Sequence, residues 1–157
     1  MNQGMEYTVV ARLIERGYHI AFAESCTGGL ATARLVGVPD ASRVLDASVV
    51  TYANSAKVAY LGVSESVIAE YGVVSEEVAE QMARGVAISN GAQIGVGITG
   101  IAGPGGGTDR KPVGMVCFGF YINGEVHTYT EYFGNIGRNE VRAASVELVY
   151  RRLAELI

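Results

Sequence analysis

The sequence predicts an α/β protein: a three-layer α/β/α sandwich around a mixed, mainly parallel sheet of about five strands, with a C-terminal antiparallel hairpin. Three observations predict it. Segments with helical apolar spacing alternate with short apolar runs, as in chains built from βα units. The last two apolar runs flank Asn123-Gly124, a dipeptide suited to a type I′ turn because both central residues of that turn need positive φ. About half the chain is apolar, with 21 glycines and only three prolines, which suits a compact fold with tight turns rather than a fibrous or disordered chain. The 157 residues fit one domain spanning 1–157, long enough to bury a continuous core and short for two. There is no internal repeat and no linker.

Met5, Val9, Val10, Leu13 and Ile14 share one helical face, and Gly17 follows where a left-handed cap would end the helix, so the first helix is expected over 3–16. Residues 19–23 form a short apolar run that breaks at Glu24-Ser25-Cys26-Thr27-Gly28-Gly29, and 30–36 again read as helix. Residues 44–51 read as a second strand. Asn54 is placed to cap a short helix through Tyr60, and Ser64 to cap another that ends before Gly72. Ser75 lacks the full capping box, yet Val78, Met82 and Val86 keep helical spacing through about Ser89. A third strand over 94–99 runs into the glycine-dense stretch 100–107. Strands 113–122 and 125–133 form the hairpin, and a last helix covers 138–156 with Val141, Ala144, Leu148, Val149 and Leu156 available to its core face.

The net charge of −4 offers no electrostatic footprint for nucleic acid, and the twelve Lys and Arg residues are scattered, with no run longer than a pair such as Arg151-Arg152. Cys26 and Cys117 are too few for a disulfide framework, and no Cys or His cluster has zinc-ligand spacing. The N-terminal residues lack a signal-peptide apolar region, and no apolar stretch approaches the roughly 18 to 20 residues of a membrane span. A cytoplasmic protein with no metal and no nucleic-acid or membrane partner is expected. A homo-oligomer, most simply a dimer, is the expected assembly.

Three loops follow predicted strands, where open α/β sheets place their ligands. In AESCTGG, Ser25 stands at the strand-to-helix junction and Gly28-Gly29 let backbone N–H groups approach a ligand; the plainer reading is a tight turn with a Ser or Thr cap. Cys26 is a rival nucleophile, but its usual partner is histidine and the chain has only His19 and His127, both on or beside strands. In VVTYANSAK, Asn54 at the N-cap would put Lys57 at the third helical position. The positive helix end and burial would both lower the lysine pKa from about 10.4 towards the neutral amine that a general base needs. An exposed, solvated lysine is the plainer alternative. The loop GITGIAGPGGGTDRKPVG can wrap phosphate or ribose with backbone donors, although it matches neither the phosphate-binding loop nor the dinucleotide fingerprint, and its glycines would equally build a long turn. Arg138 and Arg142 share a face at the start of the last helix and could clamp an anion, or simply meet solvent.

Taken together and in this order, AESCTGG, SVVTYANSAK, GVVSEEVAE, GITGIAGPGGGTDRKPVG and FGNIGRNEVR resemble the CinA C-terminal domain family over nearly the whole chain. The resemblance implies a nicotinamide-nucleotide amidase of the PncC type, a mixed-sheet α/β/α fold, and no metal or organic cofactor. It implies Ser25 as nucleophile and Lys57 as base, and a stand-alone form without the N-terminal domain of full-length CinA proteins. The expected reaction is conversion of nicotinamide mononucleotide to nicotinate mononucleotide and ammonia, in pyridine nucleotide salvage. N–H groups of Cys26, Thr27, Gly28 and Gly29 would hold the oxyanion. Tyr52, Asn54 and Thr99 would orient the dyad or carboxamide, and Gly100, Gly103, Gly106, Arg138 and Arg142 would hold the ribose phosphate. Two other readings use the same loops: a catalytically silent nucleotide-binding module, and a competence-associated partner module.

Overall fold

The computed structural model describes residues 3–157. The chain runs through α1 (Met5–Arg16), β1 (Ile20–Glu24), α2 (Leu30–Val36), a 3₁₀ turn at Ala41–Arg43, β2 (Val49–Val50), α3 (Asn54–Leu61), α4 (Glu65–Tyr71), α5 (Glu76–Asn90), β3 (Ile94–Gly100), β4 (Met115–Ile122), β5 (Glu125–Tyr132) and α6 (Arg138–Leu156). One sheet, ordered β2-β1-β3-β4-β5, has helices on both faces. β1 is parallel to β2 and β3, while β3–β4 and β4–β5 are antiparallel. The sheet is therefore evenly mixed rather than mainly parallel. The chain reverses directly from β3 into the neighbouring β4, so the antiparallel part begins one strand before the expected hairpin.

The two faces differ in side-chain size. Phe22, Val96, Ile98, Phe118 and Phe120 point towards α1, α2 and α6 and form the main core with Leu13, Leu35, Val149, Tyr150 and Leu153; each such buried side chain stabilises by roughly 1.5 to 3 kcal/mol. The other face carries Ala21 and Ala23 of β1 beside Gly95, Gly97 and Gly119 of β3 and β4, and α5 lies against it. A Cβ at Gly97 or Gly119 would stand 2.4 or 2.3 Å from the Ala79 carbonyl oxygen, and one at Gly95 2.2 Å from that of Ala83, so that face accepts α5 only because these three positions carry no side chain.

Three expectations change. Of the strand expected over 44–51, only Val49–Val50 pair regularly, with an isolated bridge at Leu45. The Ser48 hydroxyl accepts the Phe22 N–H at 3.1 Å, substituting a side chain for the carbonyl a regular ladder would present. Asn54 is not the cap of α3: Ala53 holds that position without a side-chain bond, and Lys57 becomes the fourth helical residue, its N–H bonded to the Ala53 carbonyl. Ser64 precedes α4, but its hydroxyl is shared with Ser66 and caps nothing. Ser75, which lacks the full capping box, nonetheless accepts the Val78 N–H and caps α5.

From β1 the chain crosses by α2 to β2 on one side, then by α3–α5 to β3 on the other. The crossovers use opposite faces of the sheet, so a crevice opens beyond the carboxyl ends of β1 and β3, where doubly wound sheets hold ligands. Among the described residues no helix is long and apolar enough to cross a membrane.

Candidate active site

Ser25 follows β1 directly and lies in that crevice. Its N–H donates to the Ile98 carbonyl of β3 at 3.1 Å, and its carbonyl accepts the Gly28 N–H at 3.0 Å. The serine backbone is thus held on both sides. Gly28 and Gly29 adopt φ of 58° and 103°, the positive region that glycine enters without steric cost, and so turn the chain tightly into α2.

Lys57 reaches Ser25 from the next crossover. Its side chain is 1% exposed, among the largest fully buried groups of the fold. Nζ lies 3.0 Å from Ser25 Oγ and 2.6 Å from the Thr51 carbonyl oxygen. Thr51 is itself fixed, its N–H donating to the Glu24 carbonyl at 2.9 Å. Among the described residues no carboxylate forms an ion pair with Lys57. Burial lowers its pKa, opposed in part by the neighbouring Cys26. A neutral amine suits the geometry: one N–H donates to Thr51, leaving the lone pair for the serine hydroxyl proton.

Cys26 also lines the cleft, but burial pushes its thiol up to about 11, leaving it protonated and weakly nucleophilic at neutral pH. Neither histidine stands beside it. His19 pairs with Asp46 at 3.0 Å before β1, and His127 lies on the edge strand opposite Phe120. A Cys–His arrangement is absent among the described residues, as is any group of three or more His, Cys, Asp or Glu side chains arranged to hold a metal ion.

Ser25, Cys26, Tyr52, Asn54, Lys57, Thr99, Gly100, Gly103, Gly106 and Arg138 all line one open cleft of ≈ 280 Å³, near the lower end for a small-molecule site. Val73, Val74, Ile101 and Ala102 complete an apolar wall that sequence reading missed, because isolated small apolar residues in loops carry no distinguishing signal. The Thr99 hydroxyl donates to the Val73 carbonyl at 2.9 Å and so braces that wall. At the mouth, Arg138 donates to the Gly103 carbonyl and to the Tyr52 hydroxyl, each at 2.8 Å, and pairs with no carboxylate among the described residues.

Four expected ligand-binding residues stand elsewhere. Thr27, Gly28, Gly29 and Arg142 do not line the cleft. The Arg142 guanidinium donates to the Cys26 carbonyl at 2.9 Å, the Thr27 carbonyl at 3.2 Å and Asn139 at 2.9 Å. It grips the Ser25–Gly29 turn from behind rather than facing an anion. The Gly28 and Gly29 N–H groups are already bonded, to the Ser25 carbonyl and to the Glu24 carboxylate, and Thr27 is wholly buried. After Ser25, Cys26 alone of that turn lines the cleft, and its N–H donates to no other residue among the described ones.

The model of the CinA C-terminal domain family matches residues 2–157. A CinA-like protein of Dictyoglomus turgidum is 47% identical over 138 residues, 88% of this chain and 33% of that protein. The chain spans about a third of the length of the curated relatives it matches. Among solved structures, the competence/damage inducible protein CihA of Agrobacterium tumefaciens superposes with a TM-score of 0.90 at 38% identity, covering 99% of this chain and 98% of that one. A CinA superfamily protein of Escherichia coli gives 0.94 at 33% identity, covering 98% and 88%.

Proposed function

Since this chain belongs to the CinA C-terminal domain family, we propose that it is an amidohydrolase that converts nicotinamide mononucleotide to nicotinate mononucleotide and ammonia with a serine nucleophile and a lysine base. The observation that carries this reading is the buried Lys57 amine, 3.0 Å from Ser25 Oγ and without a carboxylate partner among the described residues. Burial of an unpaired cation is costly, and lowering the lysine pKa relieves that cost by favouring the base form.

Neutral Lys57 takes the hydroxyl proton as Ser25 Oγ attacks the carboxamide carbon. The Cys26 N–H is the donor best placed for the developing oxyanion, an interaction typically worth about 3 kcal/mol of barrier. Collapse of the tetrahedral intermediate breaks the C–N bond, protonated Lys57 returns its proton to the leaving nitrogen, and ammonia departs. Water then enters; Lys57 deprotonates it for attack on the acyl-serine, and the proton returns to Ser25 Oγ as the carboxylate product leaves. Arg138 and the glycine loop at the mouth would bind the phosphate, with the pyridine ring against the apolar wall.

A coupled ammonia assay on nicotinamide, its riboside and its mononucleotide tests the reading. The mononucleotide should be the best substrate, with Ser25→Ala inactive. A folded wild-type protein that releases no ammonia from any of the three overturns it, and would favour a binding module.

A further inference from the structure

We propose that Glu24 is a positioning residue that sets the attack geometry of Ser25; the inference rests on the reading of Ser25 as the nucleophile. Glu24 ends β1 and is wholly buried, where the four preceding residues of the strand are all apolar. Among the described residues no cation pairs with it. Its two oxygens instead accept five hydrogen bonds. Oε2 takes the Thr27 hydroxyl at 2.5 Å and the N–H groups of Gly29 and Ala31 at 3.0 and 3.1 Å. Oε1 takes the N–H and hydroxyl of Thr32 at 2.7 and 2.8 Å.

Every one of these donors lies three to eight residues after Glu24, so the turn carrying Ser25 is wrapped around this one carboxylate. The main chain of the same residue reaches the base. The Glu24 carbonyl accepts the Thr51 N–H, and the Thr51 carbonyl accepts the Lys57 amine. Glu24 therefore ties the nucleophile turn through its side chain and the lysine loop through its backbone. An apolar residue would serve the core equally well but would leave the N–H groups of Gly29, Ala31 and Thr32 without this acceptor. A carboxylate here has the chemistry of a template for the turn, since only an acceptor with two oxygens and no hydrogen satisfies donors on both sides.

Glu24→Gln keeps the shape but places an NH₂ group against donors in either orientation of the amide. Positions of reacting atoms tolerate little error, and a shift of about 1 Å costs about a hundredfold. The experiment measures the rate at which a fluorophosphonate labels Ser25, alongside kcat and KM for the mononucleotide, with folding checked by circular dichroism and thermal melting. For folded Glu24→Gln, the expected result is labelling and kcat down together by about 30- to 100-fold, with KM within about threefold and the midpoint of the pH profile unmoved. A Glu24→Gln protein that melts earlier but labels and turns over within about threefold of wild type makes the carboxylate a stability element only, and overturns the proposal. Thr32→Val, which removes one donor while keeping the residue volume, should slow labelling by about fivefold. If Glu24→Gln does not fold and Thr32→Val labels at the wild-type rate, the proposal is equally overturned. Labelling needs no substrate, so a wild type that labels readily yet releases no ammonia defeats the proposed reaction and leaves the Glu24 comparison still decisive.

Discussion

The floor and the rim of the cleft are built differently. At the floor, Ser25 and Lys57 are buried, and each is fixed by main-chain partners: Ile98 and Gly28 on the serine, Thr51 on the lysine. At the rim, Tyr52 is 63% exposed, Arg138 is exposed, and the loop they meet is largely glycine. The floor allows one arrangement, whereas the rim is held by long side chains whose bonds compete with water. Substitutions at the floor should therefore change the chemical step, and substitutions at the rim should change which substrate is preferred.

The largest expected effect is at Ser25. Ser25→Ala should lower kcat by about 10⁴-fold or more, because the proposed scheme then lacks the atom that would form the covalent bond, while calorimetry still detects nucleotide binding. Retention of most of the activity would end the covalent scheme.

Lys57→Arg should be nearly as damaging as Lys57→Ala, since guanidinium stays protonated in any accessible range and cannot serve as a base. In wild type, burial lowers the lysine pKa, so the active, unprotonated fraction grows as pH rises; kcat/KM should climb through that lowered pKa and level off above it. An arginine variant with substantial activity and the same pH profile would make the lysine an electrostatic element instead.

At the rim the expected losses are smaller and selective. Arg138→Ala should cost about 1.5 to 3 kcal/mol, roughly ten- to a hundredfold in kcat/KM, on the mononucleotide and little on the riboside. Equal losses on both substrates would show that Arg138 only holds Tyr52 and Gly103. Arg142→Ala should cost about 1 kcal/mol and lower turnover of both substrates alike, because its donors go to the carbonyls of Cys26 and Thr27. A loss confined to the phosphorylated substrate would return Arg142 to the phosphate. The smallest effect belongs to Cys26→Ser, because burial holds the Cys26 thiol protonated; kcat within about threefold of wild type is expected. An inactive Cys26→Ser beside an active Ser25→Ala would move the nucleophile by one residue.

Much of this architecture was legible in sequence where the signal is local. Helical spacing located α1, α5 and α6, Asn123-Gly124 marked the hairpin, and the three loops that follow β1, β2 and β3 were expected to carry the unusual residues. Glu24 could have been suspected, being a carboxylate that closes an otherwise apolar strand. Other features depend on partners far along the chain. Arg142 shares a helix face with Arg138, and spacing alone suggested a common anion; the structure turns Arg138 to the cleft mouth and Arg142 to carbonyls more than a hundred residues away. The short β2 depends on Ser48 meeting Phe22, and the evenly mixed sheet on β3 reversing directly into β4.

By itself, then, the sequence determined where the helices, the hairpin and the strands other than β2 form, and which residue types could do chemistry, because periodicity and turn preference act within a few residues. Only the tertiary structure decided that a lysine on α3 is buried against a serine after β1, without a counter-charge among the described residues. Burial and long-range hydrogen bonding, which lower the Lys57 pKa and hold Ser25 in place, exist only once β1, β2 and β3 are assembled side by side.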